Sequence, residues 1–307
     1  MNQVYLDTAR LLIQVAPLVF ADGTFALKGG TAINLFIREM PRLSVDLDLV
    51  FPDHSLPREE ALARIHGAIG AAAERLKARG FQTRAIAADG TGETKLLVRR
   101  AGIEVKIEVN IVMRGTVHPV RSAALTPMAR NTLLADLQIP VVSLEDVYGG
   151  KLVAAMDRQH PRDIFDVMHM LERFGWQELL IDCFVAYLAG HNRPVHEVLF
   201  PVIKQLEPTF SREFVGMTRE PLTLDALTQT QVRLITELPR QLLPRHRTFL
   251  LLLVQGVPAW HLMPFGHLRE LPAIKWKLMN LERLKKTYPM RFSAQHDVLS
   301  ERLEALE

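Results

Sequence analysis

Lys28–Phe51 reads KGGTAINLFIREMPRLSVDLDLVF, and three local signals follow one another in it. Thr24–Lys28 reads as a short strand, Gly29-Gly30 as a turn, and Thr31–Glu39 as a helix that Pro41 ends, because proline disfavours helical geometry in the residue before it. Val45–Phe51 (VDLDLVF) alternates and reads as a second strand. Residues at i and i+2 of a strand point to one face, so Asp46 and Asp48 project together while Val45, Leu47 and Leu49 pack behind them. Two carboxylates side by side repel and are costly unless a cation neutralises them. Magnesium takes such oxygen ligands, and a two-metal site clamps the attacking and leaving oxygens of phosphoryl transfer. At Lys28-Gly29-Gly30-Thr31 the glycines let the backbone approach a phosphate, and the helix start offers unpaired N–H donors. Each element has a plainer explanation when taken alone: a Gly-Gly turn with no ligand, or a solvent-facing strand edge with incidental acids.

Working outward, Arg58–Arg79 reads as an alanine-rich helix stopped by Gly80, and strands are expected at Thr94–Arg99 and Gly102–Val112. Within the latter, IEVKIEVNI (Ile103–Ile111) puts Ile103, Val105, Ile107, Val109 and Ile111 on one face and Glu104, Lys106, Glu108 and Asn110 on the other. Paired beside Asp46–Asp48, this strand would offer one glutamate, Glu104 or Glu108, to complete a metal site, and Lys106 to a phosphate. From Ser143 the pattern turns helical. Ser143 caps a helix that runs to Arg158, with Asp146 at its third position, and Pro161 starts the next at its favoured first turn. Lys151, Ala155 and Arg158 share a face of the first helix, and Asp163 and Asp166 share a face of the second. A lysine so placed either binds a triphosphate, with an aspartate orienting it or acting as base, or closes a structural salt bridge between helices.

The chain has 307 residues, 48% of them hydrophobic and 23% charged, the profile of a globular protein with sizeable cores. Its single cysteine, Cys183, excludes an intramolecular disulfide and a cysteine-based zinc cluster and suits a reducing, cytoplasmic setting. No basic leader frames the early apolar run, which argues against a signal peptide, and Phe249–Trp260 is too short and broken to span a bilayer. A net charge of +3 permits an anionic or nucleic-acid partner without requiring one. Lys275, Lys277, Arg283, Lys285, Lys286 and Arg291 cluster late, either as a solvated helix face or as a surface for RNA.

In this order the pieces resemble the AbiEii/AbiGii toxins, the nucleotidyltransferases of type IV toxin–antitoxin systems. The matching residues are Gly29, Gly30 and Thr31, then Arg42, Ser44, Asp46 and Asp48, and, in the helical hairpin, Glu145, Lys151, Ala154, Arg158, Arg162, Asp163 and Asp166. The resemblance implies an α+β fold: a polymerase-beta-like core, a mixed sheet with flanking helices, over residues 1–142, and a mostly helical domain over 143–307. It implies transfer of a nucleoside monophosphate from an NTP, with Asp46, Asp48 and Glu108 as ligands of magnesium, two ions in the usual arrangement. It further implies Lys28, Gly29, Gly30, Thr31, Ser44 and Lys151 at the nucleotide, and Asp163 or Asp166 supporting the lysine or the acceptor. The implied acceptor is the 3′ end of tRNA, and a cognate antitoxin is the genetic partner. A protein hydroxyl or a small molecule as acceptor, or nucleotide binding without turnover, are the alternatives on this scaffold.

Overall fold

A computed structural model describes residues 2–86 and 93–306. The chain divides into two units, Met1–Val147 with Val215–Pro221, and Tyr148–Phe214 with Leu222–Glu307.

The first unit is built on a sheet of β1 (Ala26–Lys28), β2 (Asp46–Val50), β3 (Gln82–Ile86), β4 (Glu93–Arg100), β5 (Ile103–Asn110), β6 (Arg121–Ala124) and β7 (Gln138–Val141). Their spatial order is β3-β4-β5-β2-β1-β7-β6. The pairs β2/β5 and β1/β7 are parallel and the others antiparallel, so the sheet is mixed. The alternation read in VDLDLV and IEVKIEV becomes inside and outside: Leu47, Leu49, Val105, Ile107 and Val109 are buried. Helix α1 (Gln3–Val19) packs on β2 and β5, and α3 (Arg58–Ala78) packs on α1, β3 and β4. Asn2 caps α1 by accepting from the Val4 N–H. Gly80, at φ +79°, ends α3 in the left-handed region that glycine enters without strain.

Between β1 and β2 the chain departs from the regular helix expected over Thr31–Glu39. A single turn, α2 (Gly29–Thr31), runs into a π-helical stretch over Ala32–Ile37. The Asn34 side chain donates to the Gly30 carbonyl at 2.9 Å, the acceptor a regular helix would offer to the Asn34 backbone, and this competition favours a wider turn. Arg38 N–H closes on Ile33 O at 2.8 Å, and Met40 turns at φ +50°. Val215–Pro221 belongs to this unit because it lines the Pro41–Leu43 stretch: Leu43 N–H bonds Met217 O, Arg219 N–H bonds Pro41 O, and Asn2 N–H bonds Gly216 O. Helix α4 (Pro127–Leu133), capped by Thr126, precedes β7.

Helix α5 (Leu144–Arg158) carries the division between the units, at Val147/Tyr148 rather than at Val142/Ser143. Ser143 caps it as expected, its Oγ accepting the Asp146 N–H at 3.0 Å. The Asp146 carboxylate accepts the Val117 and His118 N–H groups, so the residue that Ser143 caps also fixes the loop after β5.

From Tyr148 on, the described residues form helices and loops, apart from an isolated bridge of Thr218 to Arg42. The larger helices are α6 (Pro161–Phe174), α7 (Glu178–Ala189), α10 (Leu224–Glu237), α11 (Pro244–Val254), α12 (Pro272–Thr287) and α13 (Pro289–Glu304), with α8 (Val195–Leu199) and α9 (Glu207–Glu213) as short connectors. Phe184, Leu188, Phe249, Leu250 and Leu253 fill the contact between α7 and α11, and the buried His246 ring meets Asp182 Oδ1 at 2.6 Å. The apolar run from Phe249 is therefore a buried helix, as expected, although it ends at Val254. No described helix is long and apolar enough to cross a membrane.

Close packing of α5 on α7 depends on a glycine. A Cβ at Gly149 would lie 2.7 Å from Cys183 Cβ and 2.9 Å from the Phe184 backbone nitrogen, whereas one at Gly150 would meet nothing. Gly149→Ala is therefore expected to destabilise by about 1–3 kcal/mol through overpacking. Gly150→Ala, the internal control, should stabilise by about 0.5–1 kcal/mol, the helical gain of alanine over glycine. Urea unfolding of both variants decides it, and equal midpoints would refute the packing argument.

Candidate functional site

In the first unit, the register of the sheet assembles the expected residues. Lys28 lies opposite Asp48 in the antiparallel β1/β2 pair. In the parallel β2/β5 pair, Asp46 lies opposite Lys106 and Asp48 opposite Glu108. The glycine turn closes directly on the second aspartate: Gly29 sits at φ +72°, and a Cβ there would collide with Asp48 Oδ2. A Cβ at Gly30 would fall 2.7 Å from Arg42 Nη2 and 3.1 Å from Ser44 Oγ. Thr31 ties the turn to β2, its Oγ1 donating to Asp46 O at 2.5 Å and lying 2.9 Å from Ser44 Oγ. Lys28, Asp46, Asp48 and Glu108 on the strands, and Gly29, Gly30, Thr31 and Ser44 in the segments that join β1 to β2, thus gather at one part of the sheet.

The electrostatics separate the glutamates. Glu104 is exposed and bonded to Arg99 at 2.9 Å. Glu108, beside Asp48, holds Lys95 Nζ at 2.8 Å through Oε1 and Lys106 Nζ at 3.1 Å through Oε2. Burial pushes the Glu108 carboxyl up, but the hydrogen bonds and charges of Lys95 and Lys106 outweigh it and hold it below the usual glutamate value. Lys106 Nζ also lies 4.0 Å from Asp46 Oδ1. Lys95 and Asn34 had not been singled out in the sequence, and Arg42 had been quoted without a role. For Lys95 the signal was present: Thr94, Leu96 and Val98 face inward, so Lys95 faces outward beside Glu108.

Magnesium characteristically takes one or two protein carboxylates and fills its octahedron with water and substrate phosphates. The Asp46/Asp48 pair fits that pattern. Among the described residues no three His, Cys, Asp or Glu side chains gather closely enough to hold a metal ion, and Glu108 is engaged by its two lysines instead.

In the second unit, Lys151, Asp163 and Asp166 form a cluster of their own. Lys151 Nζ, buried, lies 2.7 Å from Asp163 Oδ1 and 3.0 Å from Asp166 Oδ2, and Arg158 Nη2 reaches Asp163 Oδ2 at 2.9 Å. The network ties α5 to α6, whose first turn His160 caps through the Arg162 N–H. Burial pushes the Asp163 carboxyl up, yet the charges of Lys151 and Arg158 prevail and hold it well below its ordinary 3.8. A folded-state value below the unfolded one means that this stabilisation is complete above that pH and is lost as pH falls through the folded value. Lys151→Met, which strands two buried carboxylates, is expected to cost about 3–5 kcal/mol at neutral pH. The penalty should shrink as pH is taken below 3.8. Urea midpoints measured at neutral and acid pH test this, and a pH-independent penalty would refute the ion network as its source.

The geometry can be set beside known proteins. The family model for the nucleotidyl transferase AbiEii toxin of type IV toxin–antitoxin systems matches residues 10–280. No curated protein matches the chain in sequence. Among solved structures, the nucleotidyltransferase toxin MenT4 of Mycobacterium tuberculosis aligns over 90% of this chain and 93% of its own, with a TM-score of 0.59 and 18% identity. That likeness speaks for the fold, the mixed sheet followed by helices. The family match takes in the glycine turn, the paired aspartates and the helical hairpin together, and the chain belongs to the AbiEii family of nucleotidyltransferase toxins.

Proposed function

We propose that the chain transfers a nucleoside monophosphate from an NTP to the 3′ end of tRNA, with magnesium held by Asp46 and Asp48 and with Glu108 as third ligand only once a bound cation has displaced Lys95 and Lys106 from it. The observation that carries this reading is the pair of half-buried aspartates on one face of β2, with the Gly29 turn closed against Asp48. When bound, magnesium supplies charge neutralisation for the triphosphate and the departing pyrophosphate. The chain's own residues do the positioning. Gly29 and Gly30 let Asp48 and the Arg42 guanidinium close against the turn whose backbone is proposed to meet the phosphates, Thr31 and Ser44 brace that turn on β2, and Lys28 and Lys106 bring cations to the same face. Lys151 is proposed to bind triphosphate, with Asp163 and Asp166 orienting its ammonium. The antitoxin of the system is proposed as genetic partner; a stable complex is not part of the proposal.

Incubation with labelled NTPs, magnesium and total tRNA is the test. Asp46→Asn and Asp48→Asn should each lower label transfer by at least about a thousandfold, since catalysis of this kind is largely charge stabilisation and positioning. Glu108→Gln should cost less than either, because Lys95 and Lys106 already answer its charge. Full activity in Asp46→Asn would sink the site, and label on a protein or small molecule but not on tRNA would replace the acceptor. Gly29→Ala, which forces Asp48 aside and puts alanine at φ +72°, should behave like Asp48→Asn in transfer and also lower stability to urea by at least about 1 kcal/mol. Undiminished transfer by that variant would show that the turn does not position the carboxylate.

A further inference from the structure

The late basic residues do not form one uniform face. Lys277 is 5% exposed and donates to the His191 and Arg193 carbonyls, a structural role within the helical unit. Lys275 is paired with Glu270 at 3.0 Å and Lys286 with Glu282 at 2.7 Å. Arg283, Lys285 and Arg291 have no carboxylate partner among the described residues. Two of them lie over aromatic rings instead: Lys285 Nζ is 5.5 Å from the Phe292 centroid, and the Arg291 guanidinium carbon is 5.3 Å from that of Tyr288.

Apolar surface is exposed at the same place. Trp276 is 49% exposed, Met279 61%, Tyr288 54% and Met290 82%. On α12, positions 276, 279 and 283 follow the i, i+3, i+7 spacing of a single helix face, so Trp276, Met279 and Arg283 stand in a row. Tyr288, Met290 and Arg291 continue around the corner into α13. Trp276 and Tyr288 stand half in water, at a hydration cost, and the cations near them have no carboxylate partner among the described residues. A single-stranded nucleic acid relieves both, because its bases stack on exposed rings and its phosphates answer unpaired cations. Aromatic residues, methionine and arginine also suit a protein interface, but a protein would have to bring its own carboxylates to Arg283, Lys285 and Arg291, whereas a nucleic acid carries an anion at every nucleotide.

We propose that the α12 face and the α12–α13 corner bearing Trp276, Arg283, Lys285, Tyr288 and Arg291 form a stacking and phosphate-binding platform for an unpaired stretch of the acceptor RNA. The inference rests on the reading of the acceptor as RNA, and it assigns the binding of that RNA to a surface outside the paired-aspartate site.

The test is equilibrium binding of full-length protein to fluorescent tRNA and to a single-stranded oligoribonucleotide, by anisotropy over a series of salt concentrations. The triple variant Arg283→Gln, Lys285→Gln, Arg291→Gln should lose at least about tenfold in affinity. The slope of log K against log salt should fall by about 2, the release expected for three single-strand phosphates. Trp276→Ala should lose about five- to a hundredfold, the range for removing one base-stacking ring. A variant of equal net charge, Lys77→Gln, Arg79→Gln, Arg99→Gln, should change by less than about threefold if the effect is local rather than one of overall charge. Loss of affinity in the platform variants with a near-normal charge-matched variant supports the platform. Equal affinity and slope in both triple variants, or no RNA binding by the wild type, overturns it, whatever else the face binds. Asp46→Asn separates this inference from the catalytic reading. RNA binding intact in that variant and the wild type, with no transfer by the wild type to any acceptor, sinks the chemistry and leaves the platform standing.

Discussion

Asp46 and Asp48 share a face of β2 because a strand repeats every two residues, and their repulsion is a constraint the rest of the first unit has to answer. It is answered in register. Parallel pairing sets Lys106 opposite Asp46 and Glu108 opposite Asp48, while antiparallel pairing on the other side sets Lys28 opposite Asp48. Lys95 arrives from β4 and, with Lys106, brackets Glu108. Slipping β5 by a single residue would turn its glutamate and lysine to the buried side and bring Ile107 out, so the burial of Val105, Ile107 and Val109 locks the charge pattern in place. Core and site are therefore specified by the same alternation.

Steric exclusion adds a second constraint at the same point. Asp48 Oδ2 and the Arg42 guanidinium occupy the space that side chains at Gly29 and Gly30 would need. Positive φ at Gly29 and a wide π turn through Asn34 let the chain leave β1, pass against the carboxylate and still bury Ile33, Leu35 and Phe36. Ser44 and Thr31 then fasten the turn to the start of β2. The glycine motif acts as a spacer for the aspartates before it can act as a cradle for anything else.

What was legible in the sequence was what depends on neighbours along the chain. VDLDLVF and IEVKIEVNI declared their strands by alternation, Arg58–Arg79 its helix by composition and Gly80, and Ser143 and Pro161 the starts of α5 and α6. Pairing of β5 beside β2 was a condition of the sequence reading, and the preference for Glu108 over Glu104 as third carboxylate rested on resemblance; the register sets Glu108 opposite Asp48. Three features escaped because they depend on distant or unusual contacts. The π turn comes from a side-chain hydrogen bond that competes with a backbone one. Val215–Pro221 returns to the first unit through backbone bonds to Asn2 and Pro41–Leu43, which leave no local signature. β6 and β7 are short, and Pro140 interrupts the pattern of β7.

The two charged clusters differ in a way that bears on what each can do. Around Asp46 and Glu108 the lysines and carboxylates are all partly open to solvent, and pairs of that kind contribute roughly 0–1 kcal/mol each. On the proposed reading, a cation would replace lysine at the carboxylates and a triphosphate would replace carboxylate at the lysines, at little cost. Around Lys151 the ammonium and both carboxylates are buried and satisfied by one another, with Arg158 completing the balance from the surface. Opening that network strands buried charge, at several kcal/mol. The sheet cluster is thus built to exchange partners and the helical cluster to keep them. A role for Lys151 at a phosphate would have to be compatible with an ammonium that keeps both aspartates, and would rest on its fixed positive charge.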